Sequence, residues 1–556
     1  MNSDYTGNTP SPPFQQDKKP SSAQPLLFAL TLIAGMFIGT NLGDKNLLQV
    51  KPSVEQNANK LVSLIDFIED NYVDSINKQQ LIDDAIASVL QNLDPHSYYM
   101  TAEEVALESE RMKGEFSGVG IEYIVVHDSL MVVKPIAGGP SEAAGLKAGD
   151  RIVSVDGIAI SGKDLDSDKA QKLLKGKQGS KVKVSVIRPG QREAQEFTIE
   201  RGSIPIESVK ASFMVNDTIG YISVDRFAEK TYDEFVQAAE QLEEKGCTSL
   251  ILDLRGNGGG LLNQAAEIVE EFLTEGKTIV STRGLHSGEE EIRSGKKGKY
   301  RNLNLIVMID QNSASASEIV AGALQDWDRS VTVGRRSFGK GLVQHEMELA
   351  DNSALRLTVA RYYTPTGRCI QKPYGDSINY DDDFHARLMK GELTSADSIQ
   401  LPDSLLFKTP AGRLVYGGGG ITPDVFVPLD SIYFSGLLSE IAYSGVIREF
   451  CFTYMDSHRN ELARYKTADD FLSKFIVSDA MVNGLLSMAE KAEVKINRLV
   501  TKKISPQLKT RVKGQIARSL FDDTAMVRVS LETDPDFKKA LQVALNFKEF
   551  AAVKKR

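Results

Sequence analysis

The chain has 556 residues, which at roughly 150 residues per domain predicts about three or four folded units. Its hydrophobic fraction of 41% excludes a chain that is disordered throughout. Its 66 basic and 75 acidic residues give a net charge of −9, which excludes a nucleic-acid partner, because such proteins gain affinity from basic residues that neutralise phosphates.

The N-terminal region predicts a membrane anchor. Residues 1–25 are rich in Ser, Pro, Asn and Gln and are predicted to be a disordered cytoplasmic tail. Residues 26–42 carry no charge, and their length matches the lower limit of about 17–25 residues for a membrane-spanning helix. Lys18 and Lys19 precede this run, which predicts that the N-terminus stays in the cytoplasm. A removable signal peptide is the alternative, but no A-x-A-like cleavage site follows. Both interpretations export the rest of the chain.

Two segments with different patterns of apolar residues follow the anchor. Apolar residues recur at helical spacing over 53–111, which predicts an N-terminal helical segment. Over 114–201 the runs become short and alternating, as in IEYIVV, RIVSVDG and KVKVSVIR, with Gly-rich turns between them. The second segment is therefore predicted to be a compact β-rich domain of about 90 residues.

The remainder of the chain divides into an α/β part and a helical part. Over 204–430 strand-like runs such as SLILDLR and LNLIVMID alternate with helical ones such as SEIVAGALQDW, which is typical of an α/β layer. Residues 431–556 show amphipathic helical patterns, FLSKFIV and ALQVALNFKEF among them, and no chemical motif. They are predicted to form a helical accessory domain.

The segment NSASASEI, residues 312–319, is a candidate catalytic turn. It follows an apolar strand and begins a helix, where free backbone N–H groups can stabilise an anion. The alternative is that Ser313, Ser315 and Ser317 only cap the helix and pack closely.

A nucleophilic serine needs a base, and Lys340 is the candidate. None of the six histidines has a matching constellation, whereas Lys340 lies in SFGKG directly after a strand. A lysine becomes a base when burial lowers its pKa. Gln344, four residues further on, can orient the amine through hydrogen bonds.

The glycine-rich turn in LDLRGNGGGLL, residues 252–262, is a third candidate. Such a turn exposes successive N–H groups that can hold a developing oxyanion, although it can also be a plain strand-to-helix connection. For metals the sequence predicts no site, since HExxH is absent and three widely spaced cysteines form no CxxC pair. We expect no cofactor.

The motifs together resemble those of the C-terminal processing peptidases, also called tail-specific proteases, which are Ser–Lys enzymes with a PDZ domain. The resemblance covers roughly residues 55–430. It is carried, in chain order, by LDPHSYYM, FSGVGI, GGPSEAAGLKAGDRIVSVDG, LDLRGNGGGLL, NSASASEI, GALQDWDR, SFGKGLVQ and GGGGITPD. One departure is Gly258, where the family often has proline.

The resemblance implies roles for individual residues. It places the nucleophile at Ser315, the general base at Lys340 and the orienting glutamine at Gln344. The oxyanion donors would be the N–H of Ala316 and of Gly260 or Gly259. The implied fold is a crotonase/Clp-protease-like α/β peptidase core, an inserted PDZ domain, flanking helical segments and one N-terminal transmembrane helix.

The resemblance also implies partners and a location. A PDZ domain adds a peptide C-terminus as a strand and holds its carboxylate with backbone N–H groups, here in the loop of Gly118, Val119, Gly120 and Ile121. The expected partners are protein or peptide C-terminal tails and the inner membrane, with a homo-oligomer or an adaptor left open. The catalytic domains are expected in the bacterial periplasm. A PDZ scaffold or chaperone with an inactive protease domain, and a hydrolase of non-peptide esters, are the alternatives.

Overall fold

The computed structural model describes residues 52–552 except 127–128, 162–166, 376–379, 381, 401, 431 and 433–434. The predicted tail 1–25 and anchor 26–42 lie outside these residues. Within the described ranges no single helix is long and apolar enough to cross a membrane. One pair meets the length and composition criteria together, Ala468–Lys474 with Asp479–Lys491, and its two helices are bent by 95°. Both helices bury side chains, including Phe471 and Leu485, in a helical core.

The described residues divide into two compact units between Ala85 and Ile86. The N-terminal elements are helices α1 (Pro52–Asn71) and α2 (Lys78–Gln91), strand β1 (Tyr98–Met100) and helix α3 (Ala102–Lys113). Helix α3 begins with a capping box between Thr101 and Glu104 and ends at Gly114, whose φ of 70° is left-handed. The segment predicted as helical therefore also contains a short strand.

The β-rich domain is inserted through a two-stranded ribbon. Strand β2 (Glu115–Gly118) pairs antiparallel with β9 (Gly202–Pro205), so Gly118 lies opposite Gly202. Between them a sheet is ordered β3-β4-β5-β7-β8, with β6 on β5. Its elements are β3 (Ile121–Val126), β4 (Ser129–Pro135), α4 (Pro140–Ala144), β5 (Arg151–Val155), β6 (Ile158–Ala159), α5 (Ser167–Leu174), β7 (Lys181–Ile187) and β8 (Ala194–Glu200).

A six-stranded sheet forms the centre of the α/β part. Its order is β10-β11-β12-β15-β16-β21, and all pairs except β10–β11 are parallel. Strands such as SLILD and SVTVG are buried along their whole length, because helices cover both faces of the sheet. The strands are β10 (Val209–Met214), β11 (Ile219–Val224), β12 (Ser249–Asp253), β15 (Asn304–Ile309), β16 (Ser330–Gly334) and β21 (Val425–Phe426).

Three helices pack on one face of this sheet, α6 (Thr231–Glu244), α7 (Leu262–Glu270) and α8 (Ala316–Asp326). Beside them lies an antiparallel sheet ordered β1-β18-β13-β14, with β17 on β18. Its further strands are β13 (Thr278–Gly284), β14 (Gly288–Arg293), β17 (Leu342–Glu348) and β18 (Ala354–Tyr363). Between β18 and β21 the chain forms α9 (Asp383–Met389), the 3₁₀ turns Ala396–Ser398 and Asp403–Leu405, and the hairpin β19 (Leu406–Lys408) and β20 (Leu414–Tyr416).

The C-terminal helices serve two different cores. Most of them form a helical core of their own. Helix α17 and the end of α16 instead pack on the other face of the six-stranded sheet. The C-terminal helices are α10 (Gly436–Tyr443), α11 (Val446–Ser457), α12 (Arg459–Leu462), α13 (Ala468–Lys474), α14 (Asp479–Lys491), α15 (Arg498–Leu520), α16 (Asp523–Leu531), α17 (Pro535–Leu545) and α18 (Phe547–Ala552).

Two helices in this region are shorter than their sequence patterns predict. The helix in FLSKFIV ends at Lys474, because Phe475 turns to extended backbone and stacks on Phe471 with a centroid distance of 4.6 Å. The pattern ALQVALNFKEF is two helices that meet at Asn546.

Candidate active site

Ser315 occupies the turn between β15 and α8. Its φ of 56° lies in a region that residues other than glycine seldom adopt. Such strain is typical of a serine held on a sharp strand-to-helix turn with its hydroxyl presented to a ligand. The turn packs against the glycine-rich loop so closely that a Cβ at Gly259 would lie 2.8 Å from the Ser315 Cβ.

Hydrogen bonds join the serine turn to the glycine-rich turn. Asn257 is fully buried, and its carbonyl accepts the Ala314 N–H at 3.0 Å and the Ser317 hydroxyl at 2.9 Å. The Ser313 hydroxyl donates to the Leu254 carbonyl at 2.8 Å. Ser313 and Ser317 are thus buried and bonded to the backbone, while Ser315 lines a cleft. Of the three serines in the motif, Ser315 is the one that lines the cleft.

The backbone around Ser315 offers two N–H groups for an oxyanion. Within the part of the chain that the structure describes, the N–H groups of Ala316 and Gly260 have no acceptor, and both residues line the cleft beside Ser315. The Gly259 N–H, by contrast, donates to the Asn257 side chain at 2.8 Å. The structure therefore favours Gly260 over Gly259 as the glycine donor. Gly259 instead permits the close approach of the two turns.

Lys340 follows β16 in the loop that leads to β17. Its ammonium donates to the Gln344 side-chain oxygen at 2.9 Å, and the Gln344 amide nitrogen donates to the His96 carbonyl. Burial lowers the pKa of Lys340, and the positive charge of Arg356 lowers it further, against the opposing charges of Glu318 and Asp94. Ser315 and Lys340 are both described residues, and no hydrogen bond joins their side chains in this state.

Glu318, on the first turn of α8, joins the turn that carries Ser315 to the loop that carries Lys340. Its fully buried carboxylate accepts the N–H groups of Ser315 and Lys340, both at 2.8 Å. It also accepts the Gly339 N–H at 2.7 Å and the Ser337 hydroxyl at 2.5 Å. Burial raises the pKa of Glu318 to about 7, although these bonds favour the charged form. The sequence reasoning missed Glu318, although the S-x-x-E spacing from Ser315 is a capping-box signal.

Tyr362 on β18 supports the same two loops. Its buried hydroxyl lies 2.6 Å from the Lys340 carbonyl and 3.0 Å from the Ser315 carbonyl. No local signal in the sequence points to this residue, because the contact depends on where β18 runs in the second sheet.

The motif LDPHSYYM supplies the carbonyl that orients Gln344. Asp94 accepts the N–H groups of His96 at 2.8 Å and Ser97 at 2.9 Å, which fixes the turn before β1. The Thr358 hydroxyl on β18 donates to Asp94 at 3.0 Å and ties the turn to the sheet. The His96 carbonyl is therefore held in place for the glutamine.

The cleft at Ser315 is a cavity of about 420 Å³ with apolar walls and one charged pair. The pair is Arg356 with Glu346, at 2.6 Å, and Arg356 also donates to the Tyr98 hydroxyl at 2.7 Å. The apolar walls come from Met112, Leu261, Leu262, Ile319, Leu342 and Val343. Among the described residues no group of three or more His, Cys, Asp or Glu side chains could hold a metal ion.

Four family models match separate parts of the chain. Residues 218–381 match Peptidase family S41, and residues 117–200 match the PDZ domain. Residues 34–104 match the activating protease CtpB N-terminal domain, and residues 437–522 match a family of unknown function, DUF8443.

Curated relatives extend the match over most of their own length. A carboxy-terminal-processing protease of Bartonella bacilliformis is 38% identical over 348 residues, which are 61% of this chain and 79% of that protein. Carboxy-terminal processing protease CtpB of Bacillus subtilis is 34% identical over 358 residues, 61% of this chain and 72% of that protein. The chain belongs to the carboxy-terminal processing proteases.

The protease is therefore a serine peptidase of family S41 with a PDZ domain, and the findings favour an active enzyme over an inert scaffold. Among solved structures, the PDZ domain of the carboxy-terminal protease from Vibrio cholerae in complex with peptide is 31% identical. It covers 16% of this chain and 97% of its own, with a TM-score of 0.15.

Within the described part of the PDZ domain, one strand edge beside the loop of residues 118–121 pairs with no other strand. Strand β3 is the edge strand of its sheet. Ile136 donates to the Gly120 carbonyl at 3.0 Å, so Ile121 and Pro135 are a non-hydrogen-bonded pair and the Ile121 N–H points away from β4. Among the described residues the N–H groups of Val119 and Gly120 also have no acceptor. Three successive N–H groups are thus available at this loop, after the Gly118 that ends β2.

Proposed function

We propose that Ser315 is the nucleophile of this protease, that Lys340 is its general base and that Gln344 orients the lysine amine. The observation that carries this proposal is the hydrogen-bond chain from the His96 carbonyl through Gln344 to a partly buried lysine. The lowered pKa of Lys340 favours the neutral amine that a base requires. Ser315 and Gln344 line one cleft, which provides room for a peptide beside both.

The proposed reaction proceeds through an acyl-enzyme. Neutral Lys340 takes the Ser315 proton as the hydroxyl oxygen attacks the scissile carbonyl carbon. The resulting oxyanion accepts the N–H groups of Ala316 and Gly260. The Lys340 ammonium then protonates the leaving amine, and water cleaves the ester with Lys340 again as base. Proton transfer requires about 2.6–3.2 Å between the amine and the hydroxyl, so the Lys340 amine must come within this distance of the Ser315 hydroxyl when the substrate binds.

A serine-reactive fluorophosphonate and a tail peptide test the two assignments together. We expect Ser315→Ala to lose labelling and cleavage, and Lys340→Ala to lose at least about 10²-fold in both. Lys297→Ala, in an exposed loop, is the matched control and should behave as wild type. Wild-type cleavage by Ser315→Ala would show that the nucleophile is another residue.

We propose further that the PDZ domain captures substrate C-termini. The N–H groups of Val119, Gly120 and Ile121 would hold the terminal carboxylate, and the tail would add to the free edge of β3. The terminal side chain would pack beside Val119 and Leu174 of α5, which belong to one apolar cluster, so an apolar last residue is preferred.

Progress curves for one peptide as free acid and as amide test this capture. Amidation removes the charge that the loop would hold, and we expect a higher KM for the amide. A fall in kcat as well would indicate that ligand binding also switches the protease on. Equal rates for acid and amide would contradict recognition by the PDZ loop.

We propose that residues 26–42 anchor the protease in the inner membrane of a bacterium, with its catalytic domains in the periplasm. The uncharged run behind Lys18 and Lys19 supports this topology. Protease added to spheroplasts should digest the folded domains, and detergent should be needed to release the chain from membranes. Recovery in the cytosolic fraction would contradict the proposal. We also propose a crotonase/Clp-protease type of core, which the parallel sheet with the nucleophile turn at its strand ends supports.

A further inference from the structure

Helix α17 lies far outside the residues that match the peptidase family model, yet it packs under the catalytic sheet. Phe537, Ala540 and Val543 of this helix are buried against strands β11, β12, β15 and β16. Asp534 caps the helix by accepting the N–H groups of Asp536 and Phe537. The first turn of α17 therefore lies beneath the ends of the strands that lead to the active-site loops.

Asp536 in this first turn binds the start of the lysine loop. Its carboxylate receives two hydrogen bonds from the Arg335 guanidinium, at 2.9 and 2.7 Å. Arg335 and Asp536 are 5% and 4% exposed, so the pair is shielded from water. Arg335 directly follows β16 and lies five residues before Lys340 in the sequence. Its backbone leads straight into the loop that carries the base.

The same turn of α17 binds the start of the glycine-rich loop. Arg255 donates to Asp534 at 2.7 Å and to Asp536 at 3.3 Å. Arg255 directly precedes Gly256 and is itself held by Asp253 at 2.7 Å. Asp536 therefore contacts two arginines, each at the base of a different active-site loop.

We propose that Asp536 is a positioning residue for catalysis, which aligns the Gly260 N–H and Lys340 around Ser315 by holding both loops at their bases. The inference rests on the proposed roles of Ser315, Lys340 and Gly260. A displacement of about 1 Å between such groups costs on the order of 10²-fold in rate. The bidentate Arg335–Asp536 pair fixes orientation as well as distance, because two parallel N–H···O bonds admit only one arrangement. Substrate binding depends on the cleft walls and the PDZ loop, which Asp536 does not touch.

Asp536→Asn tests this role, since it removes the charge while keeping the size of the side chain. Measured at least 15 °C below the melting temperature of each variant, we expect kcat and the rate of fluorophosphonate labelling to fall by about 10²-fold. KM should stay within about twofold. Asp469→Asn is the matched control, because Asp469 forms an ion pair with Arg528 on the exposed surface of the same C-terminal region. The control should keep wild-type values.

A double variant keeps the test decisive if Asp536→Asn fails to fold. Arg335→Gln with Asp536→Asn leaves no unpaired buried charge at this pair, so it should fold more readily than the single variant. It should show the same loss in kcat as the single variant, because the alignment is lost in both. Wild-type kcat in either variant, or a rise in KM with unchanged kcat, would overturn the proposal. Ser315→Ala separates the two ideas, since an active Ser315→Ala protein would refute the catalytic assignment, whereas a normal Asp536→Asn protein refutes only the positioning role.

Discussion

The GNGGG turn lies so close to Ser315 that a side chain at Gly259 should have a much larger effect than one at the neighbouring Gly258. A methyl group at Gly259 would meet the Ser315 Cβ at 2.8 Å, the Ala314 carbonyl oxygen at 2.9 Å and the Ala316 nitrogen at 3.1 Å. Gly259 also has a φ of 104°, which L residues seldom adopt. At Gly258 an added Cβ would meet no atom within 4 Å, and its φ is not in the left-handed region.

The expected loss of stability and of kcat in Gly259→Ala follows from the close contacts and from the left-handed backbone. The backbone strain costs about 1–3 kcal/mol, and overpacking in a closed site costs about 1–3 kcal/mol more. The turn can relieve both only by moving away from Ser315, and it carries the Gly260 N–H with it. Loss of one oxyanion donor lowers kcat by about 10²–10³-fold. We therefore expect a kcat at least about 10²-fold below wild type.

The assay compares Gly259→Ala with Gly258→Ala for cleavage of one tail peptide, beside thermal melts. The Gly258 variant should melt and cleave as wild type, and Gly259→Ala should melt lower and lose kcat. Equal kcat in the two variants would refute the argument that close approach of the glycine turn builds the oxyanion site.

Three further results follow from the charges around the lysine and Glu318. Activity should rise with pH through an apparent pKa below the usual value of about 10.4, because the proposed base is the neutral form of Lys340. Lys340→Arg should be inactive because arginine stays charged. Arg356→Gln removes a positive charge that lowers the Lys340 pKa, so the rise of activity with pH should move to higher pH. Arg356→Lys keeps the charge and should leave the pH profile near its original position. An unchanged pH profile in Arg356→Gln would exclude the electrostatic effect. Glu318→Gln places an NH₂ group against at least one of the four donors that the carboxylate accepts. Chemical denaturation should therefore show a free energy of unfolding lower by about 2 kcal/mol or more, and fluorophosphonate labelling should be slower.

The sequence predicted best where the determining interactions are local. Alternating and continuous apolar runs located the strands around Ser315 and Lys340, because burial pattern and strand period are properties of neighbouring residues. Gln344 could be proposed as the partner of Lys340 for the same reason, since only four residues separate them and the structure gives 2.9 Å between their polar atoms.

The contacts that the sequence did not predict join distant segments. Glu318 receives donors from a loop 19 to 22 residues away, and Asp536 meets Arg335 across 201 residues. No periodicity records such pairs, because they depend on how the sheet brings loops together. The early end of the helix in FLSKFIV has the same origin, since packing of Phe475 on Phe471 overrides the helical pattern.

The ribbon of β2 and β9 makes the PDZ domain a cassette whose two ends are neighbours. Because Gly118 and Gly202 lie opposite each other in an antiparallel pair, their Cα atoms are about 4.5–5.5 Å apart. A two-residue turn such as Asn-Gly is enough to span this gap. Replacing residues 119–201 by that turn would give a continuous peptidase chain without unfolding its sheets. The replacement would expose apolar side chains of α11 and α15, such as Phe452 and Leu520, which face Ile124 and Val133 of the PDZ domain and would have to be changed to polar residues. Grafting a different peptide-binding domain at the same two glycines would then redirect the peptidase to tails of a chosen sequence.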